Sequence, residues 1–269
     1  MYDGLAMLKL HAIGDWGAER VVVREVASTR RIVAEVEMLV DEAWEDVKLR
    51  PGVKLYDGPM CRMEWLQASV ERLEIGLSGT SYKPFMGTNL SHPELADQFG
   101  TEVMANPVGV SSAVESADGY LLLGRRNGSV AYYPNRTHPF AGALEPRDGG
   151  DVFGAVGREL NEELGLTAED IELTRCTGVV EDLRLRHMEM LFRVKTKLSR
   201  AKIESQVHRE EHGDSVAVRA EGGEVKEFLR DEALTPVAVG SLLLWGRIVL
   251  GRGWFEECSE QMRRLGRLE

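Results

Sequence analysis

The sequence predicts an α/β protein, a mixed sheet between helical layers preceded by a smaller α+β N-terminal domain. Three observations predict it. Strand-like runs lie on both sides of an amphipathic helix near residues 152–164. Two helical segments close the chain. The first third holds a long helix followed by two strand-like runs, and Asn106-Pro107 marks a boundary, so the expected domains are 1–105 and 106–269.

In the N-terminal part, Ser28 and Thr29 are placed to cap a helix running to about Lys48, with Ile32, Val36, Leu39, Val40 and Ala43 at helical spacing. Pro51-Gly52 ends it. Partly alternating runs, Met60 to Ala68 and Arg72 to Leu77, read as strands. A Gly/Ser/Thr-rich stretch follows from Ser78 to Asn89. Ser91, before His92-Pro93-Glu94, is placed to cap a short helix ending near Gly100.

Beyond the boundary, Gly109 to Val114 and Tyr120 to Arg125 read as strands joined by a turn at Asp118-Gly119. A further strand is expected at Val130 to Tyr133, then a polar loop from Pro134 to Gly150. The helix from about Val152 to Leu164 carries Phe153, Val156, Leu160 and Leu164 as one apolar stripe and stops at Gly165. Strands near Glu172 to Val180 and Glu189 to Lys195, a helix from Ser199 to Arg209 and a short strand at Val216 to Arg219 complete the pattern.

Composition limits the function. The 269 residues are 43% hydrophobic and 29% charged, the balance of a soluble globular protein. Cys61, Cys176 and Cys258 are too scattered for a disulfide framework or a thiolate metal site, which suits a reducing, cytoplasmic setting. The segment Val237 to Gly251 is too short to span a bilayer, so no membrane partner is expected. A net charge of -11 argues against binding along a nucleic-acid backbone. It also means that a polyanionic substrate would need a cation to offset carboxylate repulsion.

The run Ala141 to Leu166, AGALEPRDGGDVFGAVGRELNEELGL, supplies a place for one. Glu159, Glu162 and Glu163 fall three and four residues apart, which puts their carboxylates on one helix face away from the apolar stripe. Oxygen donors of this kind suit Mg²⁺, with Mn²⁺ an alternative. Arg158 sits one turn before Glu162 and can orient a neighbouring carboxylate. By itself an acid-rich helix face is more often simply solvated.

This run resembles the signature of the Nudix hydrolases: Gly, five residues, Glu, seven residues, Arg-Glu-aliphatic-x-Glu-Glu-x-Gly-aliphatic. The second half is complete from Arg158 to Leu166. The first half departs from it. Counting from Gly142 places Asp148 where the pattern has Glu, and Gly149-Gly150 look like an insertion before Arg158. The resemblance implies an α/β/α sandwich and metal-assisted hydrolysis of a nucleoside diphosphate linked to another group. It implies Glu159 and Glu163 as metal ligands, Glu162 as a further ligand or the group that orients or deprotonates water, and Arg158 as structural and electrostatic. It leaves the additional base to a variable loop.

Four further segments resemble the branch of that family acting on UDP-glucose and UDP-galactose: LYDGP (Leu55 to Pro59), TSYKPFMGTN (Thr80 to Asn89), NPVGV (Asn106 to Val110) and EEHGD (Glu210 to Asp214). The substrate implied is a nucleotide sugar, cleaved to UMP and a sugar 1-phosphate; a monomer or homodimer is expected. Tyr82 and Phe85 offer aromatic faces for a base, although packing between the domains competes with that role. Lys83 offers a phosphate charge, and Thr88 and Asn89 offer hydrogen bonds. Arg125 and Arg126 end a strand where phosphate could be faced. Glu189 and Glu211, with His212, are candidates for completing the metal and base set. Two rivals stand beside this reading: an ADP-ribose or dinucleotide pyrophosphatase, and a Nudix-fold nucleotide-binding or sensor module with little turnover.

Overall fold

The computed structural model describes residues 6–50, 55–207 and 212–269, without the side chains of His212 and Gly213. Its first strand, β1 (Leu8–Trp16), pairs antiparallel with β9 (Ile171–Asp182), far along the chain. Among the described residues, eight strands form this large sheet. The main path runs β1, β9, β10 (His187–Thr196), β5 (Val108–Glu115), β6 (Tyr120–Arg126) and β11 (His212–Arg219). The short strands β7 (Thr137–His138) and β8 (Phe140–Ala143) add to β6 and β5. Strands β10 and β5 are parallel and the other pairs antiparallel, which gives the mixed sheet expected.

Helices cover both faces. On one lies α4 (Val152–Leu164), whose Val152, Val156, Leu160 and Leu164 join Val108, Val110, Met190 and Phe192 of the sheet in one cluster. Burying leucines such as Leu160 and Leu164 contributes about 2 kcal/mol each. On the other face, α7 (Pro236–Val249) and α8 (Arg252–Arg264) pack with Leu121, Leu123, Val180 and Leu191, helped by α6 (Gly222–Phe228). The α/β/α sandwich is therefore present.

A three-stranded sheet precedes it: β2 (Val21–Glu25) lies parallel to β4 (Leu73–Ser81), and β3 (Pro59–Ala68) antiparallel to it. Met63, Leu73, Ile75 and Leu77 of this sheet belong to the same cluster as α4. Backbone bonds tie the two sheets together, from Cys61 N–H to the Leu144 carbonyl (2.8 Å) and from Met63 N–H to that of Asn106 (3.1 Å). The N-terminal stretch thus contributes β1 to the large sheet and β2 to the small one.

The remaining N-terminal elements are α1 (Ala34–Lys48), α2 (Tyr82–Phe85), which continues as a π-helical turn over Met86–Leu90, and α3 (Leu95–Phe99). Neither expected cap is used. Helix α1 begins after Val33, because Thr29 instead donates to Glu64 (2.5 Å), and α3 begins after Glu94 rather than Ser91. The strand expected at Val130 to Tyr133 is irregular chain. Tyr133 (φ 51°) and Asn135 (φ 61°) both take left-handed conformations there, which an extended run cannot contain. The helix after Ser199 is a short one, α5 (Arg200–Glu204), capped by the Ser199 side chain. No helix among the described residues is long and apolar enough to cross a membrane.

Candidate active site

The loop into α4 folds around two carboxylates. Glu145 and Asp148 form a capping box over a short 3-10 turn at Pro146–Asp148. Gly149 (φ 58°) and Gly150 (φ 81°) follow in left-handed conformations, which explains why the two inserted residues are glycines. The chain then reaches Asp151, whose side chain accepts from Gly154 N–H (2.8 Å) and caps α4.

Arg158 ties this loop to the helix acids. Its Nε and Nη2 donate to Asp148 Oδ1 and Oδ2, both at 3.2 Å. Its Nη1 donates to Glu159 (2.6 Å) and lies 3.7 Å from Glu162. Burial opposes the guanidinium charge, but Asp148 and Glu159 outweigh it and hold Arg158 above its usual range.

The three acids have different surroundings. Glu162 stays exposed, its side chain at 56%. Glu163 is buried, and its Oε2 accepts from the backbone N–H of Ala141 in β8 (3.1 Å). Glu159 lies against Gly142: a Cβ there would come within 1.9 Å of its carboxyl carbon, so only glycine leaves the carboxylate its place. The expected shared solvent face is corrected accordingly, since Glu159 and Glu163, one turn apart, press on β8 while Glu162 alone points outward. Glu159 is pushed up to about 7 by burial; Arg158 works against that shift, and Glu163 and Glu162 add to it.

Does this fit a hard divalent cation? The donors are carboxylate oxygens, and Asp148, Glu159 and Glu162 all draw on the one guanidinium of Arg158, so a cation would relieve their repulsion. Among the described residues, however, no three His, Cys, Asp or Glu side chains converge as a ligand group. The donor chemistry fits; the gathering of ligands that the helical spacing suggested is not present in this geometry.

A cleft of about 800 Å³ opens beside this corner, its walls including Tyr56, Tyr82, Met86, Val130, Ala143 and Glu145. None of the helix acids lines it; Glu145 does, as does Ala143, whose carbonyl accepts from Arg158 Nη2 (3.5 Å). Tyr82 is half-buried, edge-on to Trp44 and Phe85.

Other candidates lie elsewhere. Phe85 is 3% exposed, packed on Tyr82, Tyr132 and His187. Thr88 and Asn89 are fully buried. Thr88 donates to Pro84 O (2.6 Å) and accepts from Ala105 N–H (3.1 Å). Asn89 Nδ2 donates to the carbonyls of Leu185 (3.0 Å) and Arg186 (2.9 Å), bracing the β9–β10 turn. None of these three lines the cleft. Lys83 pairs with Asp41 of α1 (2.5 Å). Arg125 is exposed and donates to Asn135 O (3.3 Å). Glu211, like Glu210, lies outside the described residues.

Glu189 belongs to a buried polar group that the sequence reading did not assemble. It accepts from Ser111 Oγ (2.9 Å), and its Oε1 lies 3.3 Å from His187 Nδ1. Burial pushes Glu189 up to about 8, with Ser111 and Arg126 opposing and Asp182 adding. Burial also lowers His187 to about 4, helped by Arg126, and raises Asp182 to about 6. The signal was available: His187 and Glu189 alternate with methionines, which puts both on one face of β10.

No protein-family model matches the chain. The uridine diphosphate glucose pyrophosphatase NUDT22 of Mus musculus is 24% identical over 280 residues, covering 90% of this chain and 91% of that protein. Among solved structures, DR0079 from Deinococcus radiodurans superposes with a TM-score of 0.40 at 15% identity, over 51% of this chain and 80% of that one. A MutT protein from Methanosarcina mazei superposes with a TM-score of 0.37 at 19% identity, over 53% and 94%.

Proposed function

We propose that this chain is a Nudix-type hydrolase that cleaves the diphosphate bond of a nucleoside diphosphate sugar, UDP-glucose or UDP-galactose, to UMP and a sugar 1-phosphate. The observation that carries the reading is the placement of Glu159 and Glu163 against β8, next to a cleft wide enough for a nucleotide sugar. The near full-length similarity to a protein named for UDP-glucose cleavage supports the choice of substrate.

In this reading Glu159 and Glu163 hold Mg²⁺, or Mn²⁺ in its place, with Glu162 at the exposed rim. A bound ion of this kind acidifies water and polarises phosphoryl oxygens. Arg158 fixes the Glu159 carboxylate and anchors it to the loop through Asp148. Glu162, the exposed member of the three, is the group proposed to orient or deprotonate water. Glu211 stays a proposed base and Glu189 a proposed contributor from β10. Tyr82 and Tyr56 offer aromatic surface for the base.

The test is a panel of UDP-glucose, UDP-galactose and ADP-ribose with Mg²⁺, products identified by mass. UMP with a hexose phosphate is expected to appear fastest. Faster release of AMP from ADP-ribose would overturn the substrate assignment. Absence of cation-dependent turnover on the whole panel would overturn the hydrolase reading and favour a binding module.

A further inference from the structure

The chain between β6 and β7 supplies part of the cleft wall, since Ser129, Val130 and Ala131 line it together with Tyr56 and Tyr82. Its base is closed by a backbone pair, Arg126 N–H to the Arg136 carbonyl (2.9 Å) and Asn135 N–H to that of Arg126 (3.1 Å). The left-handed Tyr133 and Asn135 turn the chain back toward that base. Among the described residues, 128–131 form no backbone hydrogen bond with another element. A wall of this kind needs an anchor from a side chain.

Arg126 grips its far end. The Arg126 Nε donates to the Tyr132 carbonyl (3.1 Å), and the guanidinium lies 4.4 Å over the Tyr132 ring. A planar guanidinium can donate along its edge while it stacks through its face, which an ammonium group cannot do. The Tyr132 ring in turn meets Phe85 and His187, each at 6.4 Å between centroids. It packs on the cluster that holds Met60, Tyr82, Leu90 and Ala143, and all four of these line the cleft. Neither Arg126 nor Tyr132 lines it.

We infer that Arg126 is a positioning residue for the substrate: by gripping Tyr132 it sets the 129–131 wall beside which the nucleoside part rests. The inference rests on the reading above, in which the cleft takes a nucleotide sugar. It differs from the phosphate contact that the strand end suggested, because Arg126 acts through Tyr132 and touches no substrate.

Calorimetric titration of the full chain with uridine and with uridine monophosphate, beside steady-state kinetics on UDP-glucose with Mg²⁺, tests it. Arg126→Ala is expected to weaken both ligands by the same factor, about tenfold, and to raise KM as much with kcat nearly unchanged. Arg126→Lys is expected not to restore binding, since it keeps the charge and loses the planar stack. Tyr132→Leu, which keeps the carbonyl and an apolar side chain, is expected to give a comparable loss, and the double variant no more than either single one. Tyr132→Leu carries the test if Arg126→Ala does not melt cooperatively. A loss confined to uridine monophosphate, or recovery with lysine, would make Arg126 a phosphate contact and overturn the inference. Unchanged binding in both single variants, additive losses or a fall in kcat at constant KM would overturn it too. Binding of neither ligand by the wild type would overturn the nucleotide reading of the cleft, and this inference with it.

Discussion

Arg158 and Asp148 meet at two points, Nε to Oδ1 and Nη2 to Oδ2, each at 3.2 Å. The contact joins the first turns of α4 to the loop before it and leaves the Arg158 Nη1 for Glu159. Asp148→Ala removes one carboxylate partner of the partly buried Arg158 guanidinium. It is expected to cost about 2 kcal/mol of stability, measurable by urea unfolding, and to lower turnover through the freed Glu159. A loss under about 0.5 kcal/mol, the scale of an ordinary surface change, would show that the loop holds without it.

Glu163→Gln is expected to fold normally, because an amide oxygen can still accept from Ala141 N–H in place of the carboxylate. Its Mg²⁺-dependent turnover is expected to fall on the order of 100-fold. Near-normal turnover would remove Glu163 from the proposed ligand set.

Gly142→Ala places a methyl within 1.9 Å of the Glu159 carboxyl carbon. The flexible end of the glutamate can swing aside, so stability is expected to change by under about 1 kcal/mol. Activity is expected to fall tenfold or more, since the carboxylate loses its position. Unchanged kinetics would mean that Glu159 has no fixed place in the reaction.

A pH dependence follows from Glu189. Burial raises it from 4.5 to about 8, so between those values the folded state holds a proton that the unfolded state releases. The stability tied to Glu189 is complete below pH 4.5 and is lost as pH rises through 8. His187, lowered from 6.5 to about 4, acts in the opposite direction and only below 6.5. Urea midpoints between pH 6.5 and 8.5 should therefore fall for the wild type and fall less for Glu189→Gln. Parallel profiles would contradict the buried neutral acid.

A fragment of residues 106–269 should not fold alone. It lacks β1, whose Leu8 and Trp16 are fully buried, and the Met63, Ile75 and Leu77 that join the cluster around α4. Dye binding by an expanded, partly apolar species is the expected observation. A sharp, cooperative melt of the fragment would refute this.

Helix α4 was legible in the sequence to the residue, because its apolar stripe and Gly165 are local signals that agree. Strand β1 was not. Its pairing with β9 shifts register between Leu10 and Ala12 and again between Ile13 and Trp16, which breaks the alternation that marks a strand. The site divided in the same way. Helical spacing identified the three glutamates, but the burial of Glu163 and the glycine seat of Glu159 depend on β8, which lies outside the helix pattern. For Phe85 the sequence left base stacking and packing both open. An aromatic in a polar, glycine-rich stretch looks available to a ligand, yet neighbours distant in sequence enclose it.

The pairing of β1 with β9 also sets an order of events during synthesis. His11 and Glu181, which touch across that pair, are 170 positions apart. A nascent chain therefore carries an unmated strand through most of its translation, and the sheet can close only after the β9–β10 hairpin has emerged. Until that late step the β1 backbone groups that face β9 have no partner in the sheet.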